Sequence, residues 1–245
     1  MTSRHRIRSA ASWLGGGIAL AAASYAAYAA VTWLQYGRPS APPGPEEADV
    51  LLDRFIPSYE VSERHHVRVA APGALVLAAA KDMDLLQTPL VRWIFRGREI
   101  AMGSKPDAQV RPRELLPLVQ SLGWGILAEV PGRKVVVGAV TQPWEANVVF
   151  RSLPPNEFAA FDEPGWVKIV WTLRADPLGA RESVFRTETR VVTTDPESRA
   201  RFRRYWAFVS AGIVLIRWMM LEPLRVEAER RARGERPALH AVTRP

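Results

Sequence analysis

Residues 164–221 read PGWVKIVWTLRADPLGARESVFRTETRVVTTDPESRARFRRYWAFVSAGIVLIRWMML, and this stretch decides the fold. Residues 166–173 are rich in β-branched and aromatic side chains, which favour strands. A second strand-like run covers residues 185–191, and the Asp-Pro-Leu-Gly segment that begins at Asp176 supplies turn chemistry between the two runs. The stretch therefore predicts an antiparallel hairpin that runs directly into a helix.

Side chains alternate between the two faces of a strand, so the sequence also assigns the faces of this hairpin. On the first strand one face carries Val167, Ile169, Trp171 and Leu173. On the second strand one face carries Phe185, Thr187, Thr189 and Val191. The opposite face of the second strand holds Arg186, Glu188 and Arg190, and this alternation of charge predicts a solvated outer face.

The helix that follows has a marked start, with a capping residue, a proline and an acid in order: Thr194 or Asp195, then Pro196, then Glu197. Residues 206–216 are apolar nearly all round, Arg217 interrupts them, and Pro223 is predicted to end or kink the helix. Residues 206–221 are shorter than a usual membrane span, so we interpret them as a core helix that closes the sheet, with a second span as the alternative.

Composition excludes several classes of function. The chain has 245 residues, a net charge of +8 and no cysteine, which rules out disulfides, thiol catalysis and cysteine-based metal sites. Because it lacks zinc-finger, RNA-binding and recognition-helix patterns, we expect no nucleic-acid partner. Basic side chains gather at both termini and at the start of the last helix, and an anionic membrane surface would attract them.

The N-terminal region predicts a membrane anchor. Residues 10–34 carry no charge, and about 20 apolar residues suffice for a helix to span a bilayer. Arg4, Arg6 and Arg8 precede this run and acids follow it, which predicts a single pass in the bacterial cell membrane with a cytoplasmic N-terminus and an extracytoplasmic domain. The alternative is a signal peptide cleaved after Ala29, which would give a secreted protein.

Small side chains recur at four-residue spacing within this run, at Gly15, Ala19, Ala23 and Ala27. Such spacing lets transmembrane helices approach closely, so a homodimer through this helix is a further hypothesis. The chain then divides into four parts: residues 1–37 are the basic flank and anchor, 38–50 a Pro-rich linker that holds the domain away from the bilayer, 51–232 the folded domain, and 233–245 a basic tail.

The rest of the domain alternates between strand, helix and loop patterns. We predict strands at 61–69, 118–129, 133–140 and 145–150, short helices at 72–80 and 82–98, and loops at 104–117 and 154–164. The order is therefore a strand, two short helices, several antiparallel strands and one long C-terminal helix.

Three segments resemble a known superfamily: RHHVRVAAPGALVLAAAKDMDL, FDEPGWVKIVWTLRADPLG and TETRVVTTDPESRARFRRYW. Over residues 59–232 the chain resembles an uncharacterised bacterial branch of the SRPBCC superfamily, which includes START lipid-transfer domains, birch-pollen-allergen-like proteins and polyketide cyclases. The resemblance implies an α+β helix-grip fold, in which a curved antiparallel sheet wraps around the C-terminal helix. It also implies an apolar cavity between the sheet and that helix, often occupied by lipids or other hydrophobic molecules.

In such a cavity the candidate ligand-binding residues are aromatic and aliphatic side chains together with one arginine: Trp124, Trp144, Phe161, Trp171, Phe185, Ile213 and Arg217. Arg217 is expected to reach the rim, to pair with Glu188 or Glu222, or to hold an anionic ligand head group. His65 and His66 are neighbours on a strand and point to opposite faces, so we expect no metal site. No nucleophile, phosphate loop or catalytic set is recognisable, and no cofactor is expected.

Three functions follow from these patterns. The first is a membrane-anchored binding module for a hydrophobic small molecule or lipid, with a cavity of several hundred cubic ångströms. The second is an enzyme of the polyketide cyclase or aromatase kind, which needs an inward-facing titratable side chain with a perturbed pKa. The third is a structural or interaction protein without a ligand. The absence of a catalytic motif favours a protein that is not an enzyme.

Overall fold

A computed structural model of the chain describes residues 2–38, 44–103 and 111–234. The architecture is α+β, with a curved antiparallel sheet and a long C-terminal helix, as the sequence predicts. Parts of the predicted linker, of the loop at 104–117 and of the C-terminal tail lie outside the described residues.

Six strands form one sheet in the order β1-β6-β5-β3-β2, with β4 paired to β3. Their bounds are β1 Val61–Val69, β2 Gly125–Val130, β3 Lys134–Thr141, β4 Phe150–Arg151, β5 Val167–Pro177 and β6 Ser183–Thr193. All the pairings are antiparallel. The predicted hairpin of β5 and β6 is confirmed, and Trp171 lies opposite Thr189 in its register.

Seven α-helices surround this sheet in the described residues. Their bounds are α1 Thr2–Gln35, α2 Val50–Asp53, α3 Gly73–Asp82, α4 Pro89–Met102, α5 Leu115–Ser121, α6 Pro155–Ala160 and α7 Pro196–Ala232. The helix predicted at 72–80 is confirmed as α3. The helix predicted at 82–98 is instead a short 3-10 turn followed by α4, because Pro89 occupies the first turn of α4, where a missing N–H costs nothing.

Three local predictions were wrong. The first part of the strand predicted at 118–129 is helix α5, whose apolar side chains pack into the core together with β3 and α3. The loop predicted at 154–164 contains α6, which buries Phe158. The strand predicted at 145–150 shrinks to the two residues of β4. In the first two cases burial of apolar side chains in the tertiary structure overrides the local pattern.

Both faces of the sheet are covered. The inner face, formed by odd-numbered residues of β1, β3, β5 and β6, packs on α3, α5 and α7. The outer face, formed by even-numbered residues, packs on α2 and α6 through Leu52, Ile56 and Phe158. The prediction of a solvated outer face was wrong, because α2 covers it and buries Glu188 and Arg190.

Charge pairing makes this burial possible. Arg190 is only 2% exposed, and it donates hydrogen bonds to the carboxylates of Glu188 and Asp53 and to the carbonyl oxygen of Ile56. Arg64 adds a second ion pair to Glu188 at 3.1 Å. These bonds to carboxylates raise the pKa of Arg190 although burial acts in the opposite direction.

Helix α7 starts where the sequence predicts. Asp195 accepts hydrogen bonds from the backbone N–H groups of Glu197 and Ser198, and Ser198 completes a capping box. Of the two predicted effects of Pro223, an end or a kink, the structure excludes the end, since α7 continues to Ala232. Beyond the proline, Leu224 and Ala228 are buried in the core, and this packing stabilises the last turns of α7.

By length and composition, α7 could cross a membrane, and 22% of its most apolar window is buried. However, Trp206 shares a cluster with Val61 at one end of β1, and Leu224 shares one with Val69 at the other. Eighteen helical residues and eight strand residues both span about 27 Å. The apolar part of α7 therefore lies along β1, as predicted, although the sheet leaves one side of it uncovered.

Helix α1 runs antiparallel to the start of α7. The Tyr25 hydroxyl donates to the carbonyl of Phe208, and Arg203 donates to the carbonyl of Trp33 at 2.7–2.9 Å. Just after α1, Tyr36 donates to Glu60, and burial together with that carboxylate raises the pKa of Tyr36. These side-chain contacts join α1 to the folded domain. The described ends of the predicted linker therefore do not hold the two apart.

Candidate functional site

The candidate site is the contact region between the inner face of the sheet and the middle of α7, which we call the inner groove. Its two ends are apolar. At one end Val61 and Val191 of the sheet cluster with Phe202 and Trp206 of α7. At the other end Val69 and Phe185 cluster with Leu224 and Ala228, which α3 and α5 extend.

Polar side chains occupy the middle of the inner groove. Glu63 and His65 follow Val61 on the inward-facing positions of β1, and the register places them opposite Thr189 and Thr187 of β6. Arg217 reaches this point from α7, and its guanidinium lies 3.5 Å from the hydroxyl oxygen of Thr187. Two strands and one helix therefore bring five polar side chains together between two apolar clusters.

Burial perturbs the ionisable groups of this cluster. Desolvation lowers the pKa of Arg217 to about 10, and the nearby Glu63 carboxylate opposes that shift. Desolvation raises the pKa of Glu63, with Arg217 opposing. Burial, followed by the charge of Arg217, lowers the pKa of His65, so its imidazole is neutral at pH 7. The cluster therefore holds two opposite charges, on Glu63 and Arg217, that partly offset each other, and a neutral histidine.

Several polar atoms of the inner groove lack a protein partner among the described residues. These buried atoms are His65 Nε2, Thr189 Oγ1 and Trp144 Nε1. Buried polar atoms are hydrogen-bonded in about 90% or more of cases, to protein or to ordered water. Two of these atoms lie on the adjacent strands β1 and β6 and the third on the loop after β3 that packs beside them, so a bound molecule or ordered water is expected to complete their hydrogen bonding.

The structure brings most of the seven candidate ligand-binding residues to the inner groove. Trp171 and Phe185 are buried in the cluster near Leu224, and Trp124 packs edge-on against Trp171 with ring centroids 6.1 Å apart. Trp144 and Ile213 lie partly exposed beside the other cluster. Phe161 is not part of the groove. It packs edge-on against Trp166, next to the outer-face cluster.

The partner of Arg217 differs from the prediction. Glu188 lies on the outer face with Arg190, and Glu222 pairs with Arg225 one turn along α7. Glu63 takes their place, because an inward position of β1 faces the middle of α7. Sequence reasoning missed Glu63, Thr187 and Thr189 as site residues. The signal was available, since period-two alternation places Glu63 and His65 on the same face as Val61 and Val67.

The predicted cavity of several hundred cubic ångströms between the sheet and the C-terminal helix does not coincide with either of two pockets that the described residues form. One of those, of about 350 Å³, lies where α1 ends and α7 begins, and the other, of about 20 Å³, lies on the outer face near His66. The inner groove instead has partly exposed walls, including Trp124, Ile169 and Leu221.

Other candidate chemistry finds no support within the described residues. No group of three or more histidine, aspartate, glutamate or cysteine side chains is arranged to hold a metal ion there. His65 faces the inner groove and His66 is exposed, as their positions on one strand predict. Acids at Glu157, Asp162 and Glu163 are exposed to solvent.

Comparison with known proteins gives distant similarities only. No family model matches the chain, and no curated protein matches it. The aromatase/cyclase Zhui of Streptomyces sp. R1128 is 18% identical over 72% of this chain and 99% of its own, with a TM-score of 0.24. CalU16 of Micromonospora echinospora is 14% identical over 71% and 86%, with a TM-score of 0.24. Norcoclaurine synthase of Thalictrum flavum is 10% identical over 71% and 98%, with a TM-score of 0.22.

Proposed function

We propose that this protein is a membrane-anchored binding module of the helix-grip type, which holds a hydrophobic small molecule or lipid in the inner groove. The observation that carries the proposal is the arrangement of that groove. Two apolar clusters flank a polar middle, and the polar middle contains buried atoms without a protein partner among the described residues. An amphiphilic molecule supplies both apolar surface and the missing hydrogen bonds.

The anchor is α1. Its uncharged run at residues 10–34 is long enough to span a bilayer, and the side chains that are described between residues 16 and 28 are exposed, although Tyr25 and Tyr28 contact α7. Basic residues before the run place the N-terminus in the cytoplasm and the folded domain outside. The small residues of α1 make a homodimer through this helix part of the same proposal.

Native mass spectrometry of the full chain, released from membranes in a mild detergent, tests the binding role. We expect a co-purifying hydrophobic molecule, which solvent extraction then identifies. Ile213→Trp fills the inner groove and should abolish that adduct. Leu178→Trp, a matched change at an exposed turn residue, should retain it. A wild-type protein without any adduct, or equal adducts in both variants, would contradict the proposal.

A second candidate is an enzyme of the cyclase or aromatase kind. The observation that favours it is the inward-facing Glu63 and His65, whose pKa values are both shifted by burial, since general acids and bases are commonly tuned this way. Incubation of the full chain with a poly-β-ketone analogue distinguishes the two functions. Conversion to cyclised product that requires both Glu63 and His65 supports the enzyme, and unchanged analogue supports the binding module.

A further inference from the structure

A second site lies outside the inner groove, where the end of α1 meets the start of α7. A pocket of about 350 Å³ opens there, lined by Leu34, Tyr36, Arg38, Pro196, Arg199, Ala200 and Arg203. Three of its seven lining side chains are guanidinium groups. We call it the junction pocket.

The junction pocket carries an excess of positive charge. One carboxylate offsets it, that of Glu60, which lies 3.2 Å from Arg199 and also accepts hydrogen bonds from Tyr36 and Thr193. The Arg38 side chain has no hydrogen bond or ion pair with any described residue. Three guanidinium groups against one shared carboxylate leave a net charge of +2, which an anion would balance.

Surrounding residues constrain two of the three arginines, Arg199 and Arg203. Arg203 lies 4.2 Å above the Trp33 ring while it donates two hydrogen bonds to the Trp33 carbonyl. A Cβ on Gly37 would lie 2.5 Å from Nη2 of Arg199, so a larger residue there would displace the end of this side chain. The positive φ of 72° at Gly37 also requires glycine. These fixed positions reduce the entropy that a bound anion would cost.

We propose that the junction pocket binds a phosphate group, either of an anionic phospholipid head group or of a free phosphate. Guanidinium groups match phosphate oxygens with two parallel hydrogen bonds, and several in one pocket are typical of phosphate recognition. The lipid is the source favoured by position. Leu34, 63% exposed, ends the uncharged run of α1 and lies at the rim of the pocket, at head-group depth if α1 spans the bilayer. The phosphate site itself does not depend on the inner groove or on its ligand.

The test uses the full chain in an uncharged detergent and native mass spectrometry. The protein is titrated with phosphatidylglycerol, with phosphatidylcholine of the same acyl chains, and with phosphatidylglycerol in the presence of millimolar inorganic phosphate. Arg38→Gln removes an exposed charge of the pocket without breaking any contact among the described residues. Arg204→Gln removes an exposed charge of α7 outside the pocket and is the matched control.

We expect phosphatidylglycerol to bind more tightly than phosphatidylcholine, and Arg38→Gln to weaken its binding roughly tenfold, as loss of one charge-assisted hydrogen bond predicts. Arg204→Gln should change that binding less than about twofold, the effect of an exposed charge. Displacement of phosphatidylglycerol by inorganic phosphate would support the phosphate site. It would contradict the proposal that the phosphate belongs to a lipid. Equal binding of the two lipids, or equal losses in the two variants, would overturn the site.

Discussion

Arg217 is the side chain on which the inner groove depends, because it is the one positive charge that α7 brings to the polar cluster. Arg217→Met should leave the half-buried Glu63 carboxylate without its counter-charge, and unfolding should become easier by about 1–2 kcal/mol. Glu63 then has a still higher pKa, so the loss should be larger at pH 8, where Glu63 is ionised, than at pH 5. Denaturant titration at both pH values measures it.

The double variant Arg217→Met, Glu63→Gln is the control, because it removes both charges. It should recover most of the stability lost at pH 8. If Arg217→Met lowers the free energy of unfolding equally at both pH values, and adding Glu63→Gln restores none of it, the two groups do not interact. The same variants should lose any ligand whose polar group contacts the cluster while they keep the fold.

His65 should make the stability depend on pH. Its pKa is lowered in the folded protein, so between pH 7.5 and 5.5 the unfolded chain takes up the proton first and the free energy of unfolding falls as pH falls. Glu63, with its raised pKa, acts in the opposite direction, and both His66 and Arg217 lie close by. His65→Gln should therefore reduce the fall relative to wild type in denaturant titrations across this range. Identical slopes in the two proteins would contradict the burial of His65.

Arg190 tests the outer face. Removing one partner of a buried ion pair leaves the other charge uncompensated and typically costs about 3–5 kcal/mol. Arg190→Met should approach that loss, because Arg190 is 2% exposed and holds Glu188 and Asp53. Arg201→Met breaks only an exposed pair with Glu197 and should cost less than about 1 kcal/mol. Chemical denaturation measures both, and equal losses would mean that the outer face is solvated after all.

At the scale of elements, Pro223 is the exception that the packing of α7 tolerates. A proline inside a helix removes one backbone hydrogen bond and crowds the preceding turn, at a cost of about 3 kcal/mol. Pro223 is exposed, so Pro223→Ala should raise the free energy of unfolding by up to that amount. Pro196→Ala, at the first turn of the same helix, should give no gain. Thermal unfolding compares them, and a loss at Pro223 would show that the proline shapes the helix.

The elements that sequence predicted well are those with a local signature. Period-two alternation identified β1, β5 and β6, and Asp195 with Pro196 marked the start of α7. The outer face could not be predicted, because its cover comes from α2, a four-residue helix far away in sequence. The prediction of the partner of Arg217 was wrong for the same reason, since pairing between a strand and a helix depends on tertiary contacts. Glu63 was missed although its alternation with Val61 was visible.

At the scale of the whole molecule, the proposed anchor, the inner groove and the junction pocket adjoin one another along α7. Helix α1 contacts α7 through Tyr25, Tyr28 and Trp33, so the folded domain lies directly against the C-terminal part of the proposed anchor. The opposite side of α7 forms one wall of the inner groove. A hydrophobic ligand would therefore bind close to the bilayer, where such molecules concentrate.

The central claim is that the inner groove holds a hydrophobic molecule, and photo-cross-linking in the membrane tests it most directly. Benzoylphenylalanine replaces Ile213 in the groove or, as a control, Leu178 at an exposed turn. After irradiation, intact-mass measurement should show a discrete small-molecule adduct at position 213 and none at position 178. An unmodified chain at both positions, or the same adduct at both, would contradict the account.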